Sequence, residues 1–205
     1  MDEERVFLRE PLEALARDGL VGAPIPAAYG GAGMSNVESV IVYEEIGRVC
    51  SSTRGFLAVQ VGLVAQCILD WGSEEQKQRW LPKMATGELV GAIAMTEPNT
   101  GSDLQAVSTT AVKDGNDYVI NGSKTYITNG QHADLVIVVA KTGPGEGSKG
   151  ISLIVIETEG NVGFKRGRNL KKMGMPAADT SELFFEDCRV PIENRLGEDE
   201  GKGFI

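Results

Sequence analysis

The hydrophobic period of this chain changes near residue 90, and that change limits the folds open to it. Before it, apolar residues recur at helical spacing. Val6, Leu8, Leu12, Leu15 and Leu20 form one set, ended by Gly19 and Gly22. Residues 23–34 carry prolines and glycines and read as a loop. Ser35 or Asn36 can cap a second helix, with Val37, Val40, Ile41 and Val49 on its apolar side. Residues 54–71 are apolar nearly all round, as a central helix is. Ser73-Glu74-Glu75-Gln76 is a capping box opening a further helix, expected to end near Pro82. After residue 90 the apolar runs are short and rich in Val, Ile, Thr and aromatics: 91–95, 109–112, 118–120, 124–128, 135–140, 151–157 and 183–185. Asp114-Gly115 and Asn121-Gly122 read as tight turns between such runs. The expected fold is α+β. An all-α domain occupies 1–90, an antiparallel β-barrel or sandwich occupies 91–197, and 198–205 look like the opening of another element.

The formal charge of −9 over 205 residues argues against a general nucleic-acid or anionic-membrane surface, which needs clustered Lys and Arg. Lys165, Arg166, Arg168, Lys171 and Lys172 are a local exception. They read as a solvated strand or loop edge, the alternative being a patch beside an anionic ligand such as a nucleotide phosphate. Cys50, Cys67 and Cys188 are far apart with no C-x-x-C, which points to a reducing compartment and no disulfide framework. His132 is the single histidine, too few for a His-based metal site, and no metal is expected. The start, Met1-Asp2-Glu3-Glu4, is acidic and is not expected to be a secretory signal. The apolar stretch 55–71 contains Gln60 and Gln66 and falls short of the roughly 20 residues a bilayer requires, so a buried helix is expected and no transmembrane segment. Gly143-Pro144-Gly145-Glu146-Gly147 joins two strands without opening a helix, so it is not read as a dinucleotide fingerprint.

The chemistry concentrates in two segments. In the first, an apolar run stops abruptly at Met95-Thr96-Glu97-Pro98-Asn99-Thr100-Gly101-Ser102-Asp103. The second is Lys124-Thr125-Tyr126-Ile127-Thr128-Asn129-Gly130. Hydroxyls and free backbone N–H groups in irregular segments suit a planar cofactor with polar edges. A flavin needs donors at its N1/O2 and O4/N5 edges, where negative charge develops on reduction. Thr96 and Thr128 can each supply a hydroxyl and an N–H, and Tyr126 can form an aromatic wall. Gly101 and Ser102 suit the close backbone approach of a pyrophosphate. Glu97 is a candidate base, but its fixed place between Thr96 and Pro98 favours a structural role.

These segments, with others in the same order along the chain, resemble the acyl-CoA dehydrogenase family. The similarity runs from Gly19-Leu20-Val21-Gly22 and Pro26-Ala27-Ala28-Tyr29-Gly30-Gly31-Ala32-Gly33 through Tyr43-Glu44-Glu45-Ile46-Gly47 and Trp71-Gly72-Ser73-Glu74-Glu75-Gln76-Lys77 to Leu81-Pro82. It continues over Met95-Thr96-Glu97-Pro98, Gly101-Ser102-Asp103 and Ile127-Thr128-Asn129-Gly130 to Phe185-Glu186-Asp187-Cys188-Arg189-Val190-Pro191 and Leu196-Gly197. The resemblance, most marked to long-chain-type members, implies an FAD-dependent α,β-dehydrogenation of an acyl-CoA to a trans-2-enoyl-CoA in fatty-acid oxidation, a branched-chain or glutaryl-type substrate being the alternative. It implies that Ile93, Met95, Thr96, Gly101, Ser102, Tyr126, Ile127 and Thr128 hold FAD, Ile93 through its backbone. Ser102 would also lie beside the thioester, and Ser148 near the CoA nucleotide. The family often has Trp where this chain has Tyr126, and a smaller residue at Thr100. The family's C-terminal four-helix bundle, which carries the carboxylate base, is absent from this sequence, so no catalytic base is expected within it. The resemblance also implies an electron-transfer flavoprotein as electron acceptor and a homotetramer at full length. The compartment it implies is the cytoplasm or, in a eukaryote, the mitochondrial matrix. Two alternatives remain at this point: an acyl-CoA oxidase or flavin monooxygenase of the same fold, and a non-catalytic binding or assembly module.

Overall fold

A computed structural model of the chain describes residues 10–143 and 147–203. Val6, Leu8, Pro144, Gly145, Glu146, Phe204 and Ile205 lie outside the described residues. The chain divides into two compact units, Met1–Gly91 with Lys171–Asp179, and Ala92–Leu170 with Thr180–Ile205.

The first unit is helical. Helix α1, Glu10–Arg17, ends where Gly19 turns left-handed (φ 73°). Leu20 N then donates to Leu15 O and Gly19 N to Ala16 O, the paired bonds that satisfy a helix's last carbonyls. Leu12 is buried with Val21, Phe56, Leu57 and Val90. Helix α2, Asn36–Val49, opens with a capping box between Ser35 and Glu38. Its inward face is not the expected one. Ser39 is buried and Tyr43 and Ile46 pack on the core, whereas Val37, Val40, Ile41 and Val49 are exposed. The helix carries apolar residues on more than one face, and periodicity alone does not say which stripe turns inward.

Helix α3 (Ser51–Val59), a π-helical turn (Gln60–Ala65) and helix α4 (Gln66–Trp71) run on without a break. The whole is 21 residues, longer than expected, and by length and apolarity alone it would pass for a membrane span. Half of its most apolar window is buried inside the protein. Gln60, one of the buried polar residues of this helix, has partners on both ends of its amide. Its Nε2 donates to Met84 O and Leu89 O, and its Oε1 accepts from Gly91 N at 2.6 Å. Helix α5, Glu74–Ala85, opens with the Ser73/Gln76 capping box and runs past Pro82, which sits inside it.

The second unit is a seven-stranded sheet: β1 (Gly91–Ala94), β2 (Thr110–Asp114), β3 (Asp117–Thr128), β4 (Leu135–Lys141), β5 (Ile151–Glu157), β6 (Phe164–Asn169) and β7 (Thr180–Pro191). The order is β1-β4-β2-β3-β7-β6, with β5 on β4. The helical-then-β fold class agrees with the sequence, but the sheet is mixed rather than wholly antiparallel. β2 meets β4 in parallel through Thr110 and Lys141. Strand β6 lies in the basic run, where periodicity gave no strand. The core includes Tyr118, Ile120, Ile127, Val136, Val138, Ile154, Leu183 and Phe185.

The two turn signals part company. Gly115 (φ 64°) does make the β2–β3 turn, with Asp114 opposite Asp117. Asn121-Gly122 is no turn: β3 runs straight through it. Gly122 instead sits where the pairing with β7 shifts register, at φ 153°, and a Cβ there would lie 2.4 Å from Thr109 Oγ1. Asn121 accepts from Asp187 N and donates to the Asp187 carboxylate, fastening that bulge.

Candidate functional site

The first polar segment leaves β1 and folds back at once. Glu97 N donates to Thr100 O and Thr100 N to Glu97 O, closing a tight turn over Pro98-Asn99. Thr100 is buried and its Oγ1 donates to Ala106 O, so the larger residue finds room and a partner. Gly101 and Ser102 are exposed, and nothing lies within 4 Å of a Cβ built on Gly101. The backbone there is open to a ligand.

The second segment owes its shape to a bulge. Lys124 pairs with Leu183 and Ile127 with Ser181, so β3 holds one residue more than β7 between them. Tyr126 takes the strain, with φ 59°, and is 68% exposed. A large side chain in the left-handed region is a costly conformation, and bulges of this kind re-aim side chains beside functional sites. Asn129 is also left-handed, at φ 66°, and buried. Between them Ile127 is buried in the core, and its carbonyl accepts from Gly130 N. Thr128 is half-buried.

The structure brings the two segments together. Thr125 N donates to Thr96 O at 2.9 Å. Beneath that bond lies a buried ion pair in which Lys124 Nζ donates to Glu97 Oε1 (2.9 Å), Met95 O (3.0 Å) and Val139 O (2.8 Å). All three partners are acceptors, so the protonated ammonium, with its three donors, satisfies the set. The Glu97 carboxylate also accepts from Ser108 N, Ser108 Oγ and Thr109 N. Burial pushes Glu97 up, but the hydrogen bonds from Ser108 and Thr109 outweigh it and hold the carboxyl down at about 2. Burial pushes Lys124 below its ordinary value, against the pull of Glu97.

Ile93, Met95 and Thr96 are half-buried along this path. Ser148 lies in the short helical turn Gly147–Gly150, its side chain outside the described residues. A Cβ on Gly147 would lie 2.9 Å from Gln105 Oε1, so the turn sits against the stretch that follows Ser102. Two residues of the basic run have carboxylate partners. Lys165 pairs with Glu186 and Arg168 with Glu182. Arg166 donates to Ala133 O and Thr158 Oγ1 and lies over the Phe164 ring. Lys172 donates to Ala178 O. Lys165, Arg166 and Arg168 lie on strand β6, and Lys171 and Lys172 follow it in the sequence.

The residue that the sequence reading passed over is Lys124. The turn expected at Asn121-Gly122 cut it off from the inward parity of Tyr118 and Ile120, which it shares because β3 is continuous.

Comparison with known proteins places the chain. The acyl-CoA dehydrogenase N-terminal domain matches residues 1–88, and the middle domain of the same family matches 92–188. Similar proteins include the long-chain specific mitochondrial acyl-CoA dehydrogenase of Sus scrofa, 47% identical over 96% of this chain and 45% of its own length. The short-chain specific acyl-CoA dehydrogenase of Clostridium acetobutylicum is 44% identical over all of this chain and 53% of its own. A glutaryl-CoA dehydrogenase from Mycobacterium smegmatis, solved in complex with FADH2, superposes with a TM-score of 0.89 at 33% identity, over 98% of this chain and 50% of that one. The chain spans about half the length of the curated relatives it matches. It belongs to the acyl-CoA dehydrogenase family, with that family's N-terminal and middle domains.

Proposed function

We propose that this member of the family is the flavin-holding part of an FAD-dependent acyl-CoA dehydrogenase, which converts an acyl-CoA to its trans-2-enoyl-CoA. The observation that carries this reading is the junction of the two polar segments at Thr125 N and Thr96 O, beside a strained, outward-facing Tyr126. An exposed aromatic, two half-buried threonines and an uncovered Gly101-Ser102 backbone fit a planar ring with a pyrophosphate tail. In this reading bound flavin supplies the hydride acceptor. Thr96 and Thr128 offer hydroxyl and N–H groups to its polar edges, and Tyr126 walls its face. Ile93, Met95 and Ile127 contribute through the backbone. Gly101 and Ser102 hold the pyrophosphate, Ser102 also facing the thioester, and Ser148 lies towards the CoA nucleotide.

Glu97 is not the base in this reading. It is ionised, but its oxygens are taken by Lys124, Ser108 and Thr109, and it is 4% exposed. An unbonded, accessible carboxylate is what proton abstraction from the weakly acidic α carbon requires. That carboxylate is proposed to lie in the part of the family's length outside this chain. An electron-transfer flavoprotein as acceptor, a tetramer at full length, and a cytoplasmic or mitochondrial-matrix location complete the proposal.

Titrating the 205-residue chain with FAD tests the reading. Weak binding, seen as a change in flavin fluorescence, with no turnover of acyl-CoA on an artificial acceptor, is expected. A folded chain that leaves flavin fluorescence unchanged would sink it and favour a binding module. Anaerobic reduction of the full-length protein by acyl-CoA, then a peroxide assay in air, separates a dehydrogenase from an oxidase.

A further inference from the structure

We propose that Glu97 and Lys124 are positioning residues, a buried staple that fixes the spacing between the Met95–Ser102 stretch and the Tyr126–Thr128 stretch so that both can grip one planar ligand. The inference rests on the flavin reading for the identity of that ligand. Its geometry stands apart from it.

The staple joins four separate stretches of the β unit. Lys124 on β3 reaches Met95 O and Glu97 on the segment after β1, and Val139 O on β4. Glu97 reaches back to Ser108 and Thr109, just before β2. Every bond lies within a few residues of a proposed ligand group: Glu97 adjoins Thr96, and Lys124 precedes Tyr126 by two. The backbone bond from Thr125 N to Thr96 O is held between these anchors. The bulge beginning at Lys124 is therefore pinned at its root, while its tip, Tyr126, stands in a strained conformation facing solvent.

Filling alone does not explain the pair. Two apolar side chains of similar volume fill a buried space as well as an ion pair does, and often better. A charged pair adds direction, because each of three ammonium donors and each carboxylate lone pair must meet a fixed partner. Here one of those partners, Met95 O, lies in a ligand segment, and the others, Val139 O, Ser108 and Thr109, tie the pair to β4 and to the stretch before β2. Tyr126 lies within the bulge and Thr128 just beyond it, so a small rotation at its root moves both.

The test measures backbone amide hydrogen exchange and FAD affinity in the full-length protein carrying Glu97→Gln, Lys124→Met, or both. Exchange needs no flavin and reports how firmly the two segments are held. In each single variant, residues 95–101 and 125–130 are expected to exchange at least about tenfold faster, while β4 and β5 exchange as before. FAD affinity is expected to fall by about thirtyfold or more, and the double variant to recover part of it. Exchange that rises evenly over the whole β unit would make the pair merely structural and overturn the proposal. So would folded single variants whose two segments exchange as in the parent. If the single variants do not fold, Ser108→Ala removes one bond to Glu97 from an exposed position. It is expected to speed exchange of the same two segments and weaken FAD about fivefold, and no change in either refutes the staple. A parent protein that binds no FAD sinks the flavin reading alone, since the exchange pattern still decides whether the pair sets the spacing.

Discussion

The β unit contains two kinds of ion pair made from the same residue types. Lys124 and Glu97 lie inside it, with side chains 0% and 3% exposed. Lys165–Glu186 and Arg168–Glu182 lie on its β6–β7 rim, with Lys165 and Arg168 at 57% and 79%. In water a charge is already solvated, and pairing it adds little. Inside, each charge loses its water and survives only if protein atoms replace every bond. The inner pair has a full set of such bonds. The rim pairs have one partner each and solvent for the rest. The difference teaches that the charge pattern of a strand says little until the facing of each residue is known.

The sharpest way to break this comparison is to remove one inner partner. Lys124→Met leaves the Glu97 carboxylate buried against an apolar chain. A loss of roughly 3–5 kcal/mol is expected in denaturant unfolding of the folded protein. A loss no larger than that of a rim variant would show that burial does not distinguish the two pairs.

The pH dependence sharpens it. Glu97 titrates near 2 when folded, against 4.5 for an unperturbed carboxyl. A depressed carboxyl stabilises the fold in full above the unfolded value and loses that contribution as pH falls towards the folded one. The difference in stability between the parent and Glu97→Gln should therefore be flat above about pH 5 and shrink between about pH 4.5 and 2. The part lost is on the order of 3 kcal/mol. Urea melts of both proteins across this range check it, and a difference that grows with acid contradicts the assignment.

How much of this was legible beforehand depends on what each residue answers to. The capping boxes at Ser35 and Ser73 and the turn at Gly115 are local chemistry, and the sequence displays them. The Thr96 and Thr128 segments were legible as clusters of hydroxyls, but their junction was not, because it is a long-range backbone bond. Asn121-Gly122 carries a turn signal, yet the β7 register places it inside a strand. The α2 stripe of Val37, Val40 and Ile41 has the right period, and tertiary packing chose the opposite face. Lys124 shares the parity of Tyr118 and Ile120 only once β3 is known to run through Asn121-Gly122, and Ser108 and Thr109 as its partner's donors are long-range in the same way.

Tyr126 tests the comparison at the site itself, where the staple ends and solvent begins. A left-handed conformation costs a bulky residue about 1–2 kcal/mol more than glycine. Tyr126→Gly relieves that strain but loses backbone entropy on folding, so a net gain of up to about 1 kcal/mol in stability is expected. The same change removes the proposed aromatic wall, and FAD affinity is expected to fall about tenfold. Gain in one and loss in the other would mark the strain as serving the ligand. A variant that loses stability would instead show Tyr126 to be a packing residue.

The rim supplies the smallest effect and the control. Arg168 makes two bonds to Glu182, at 2.8 and 3.0 Å, a fork geometry that favours the pair more than most surface ion pairs. Glu182 in turn is held below its ordinary value by that hydrogen bond. Even so, the guanidinium stands in solvent, salt screens it, and ordering two long side chains offsets much of the attraction. Arg168→Ala should leave the thermal midpoint unchanged at physiological salt, with a small drop appearing only at low ionic strength. It should also leave FAD affinity unaltered, because Arg168 is engaged with Glu182 rather than with a nucleotide phosphate. A loss of FAD binding in Arg168→Ala that salt also abolishes would reverse both conclusions at once. It would make the rim a phosphate contact and move part of the ligand's grip from the inner pair to the outer one.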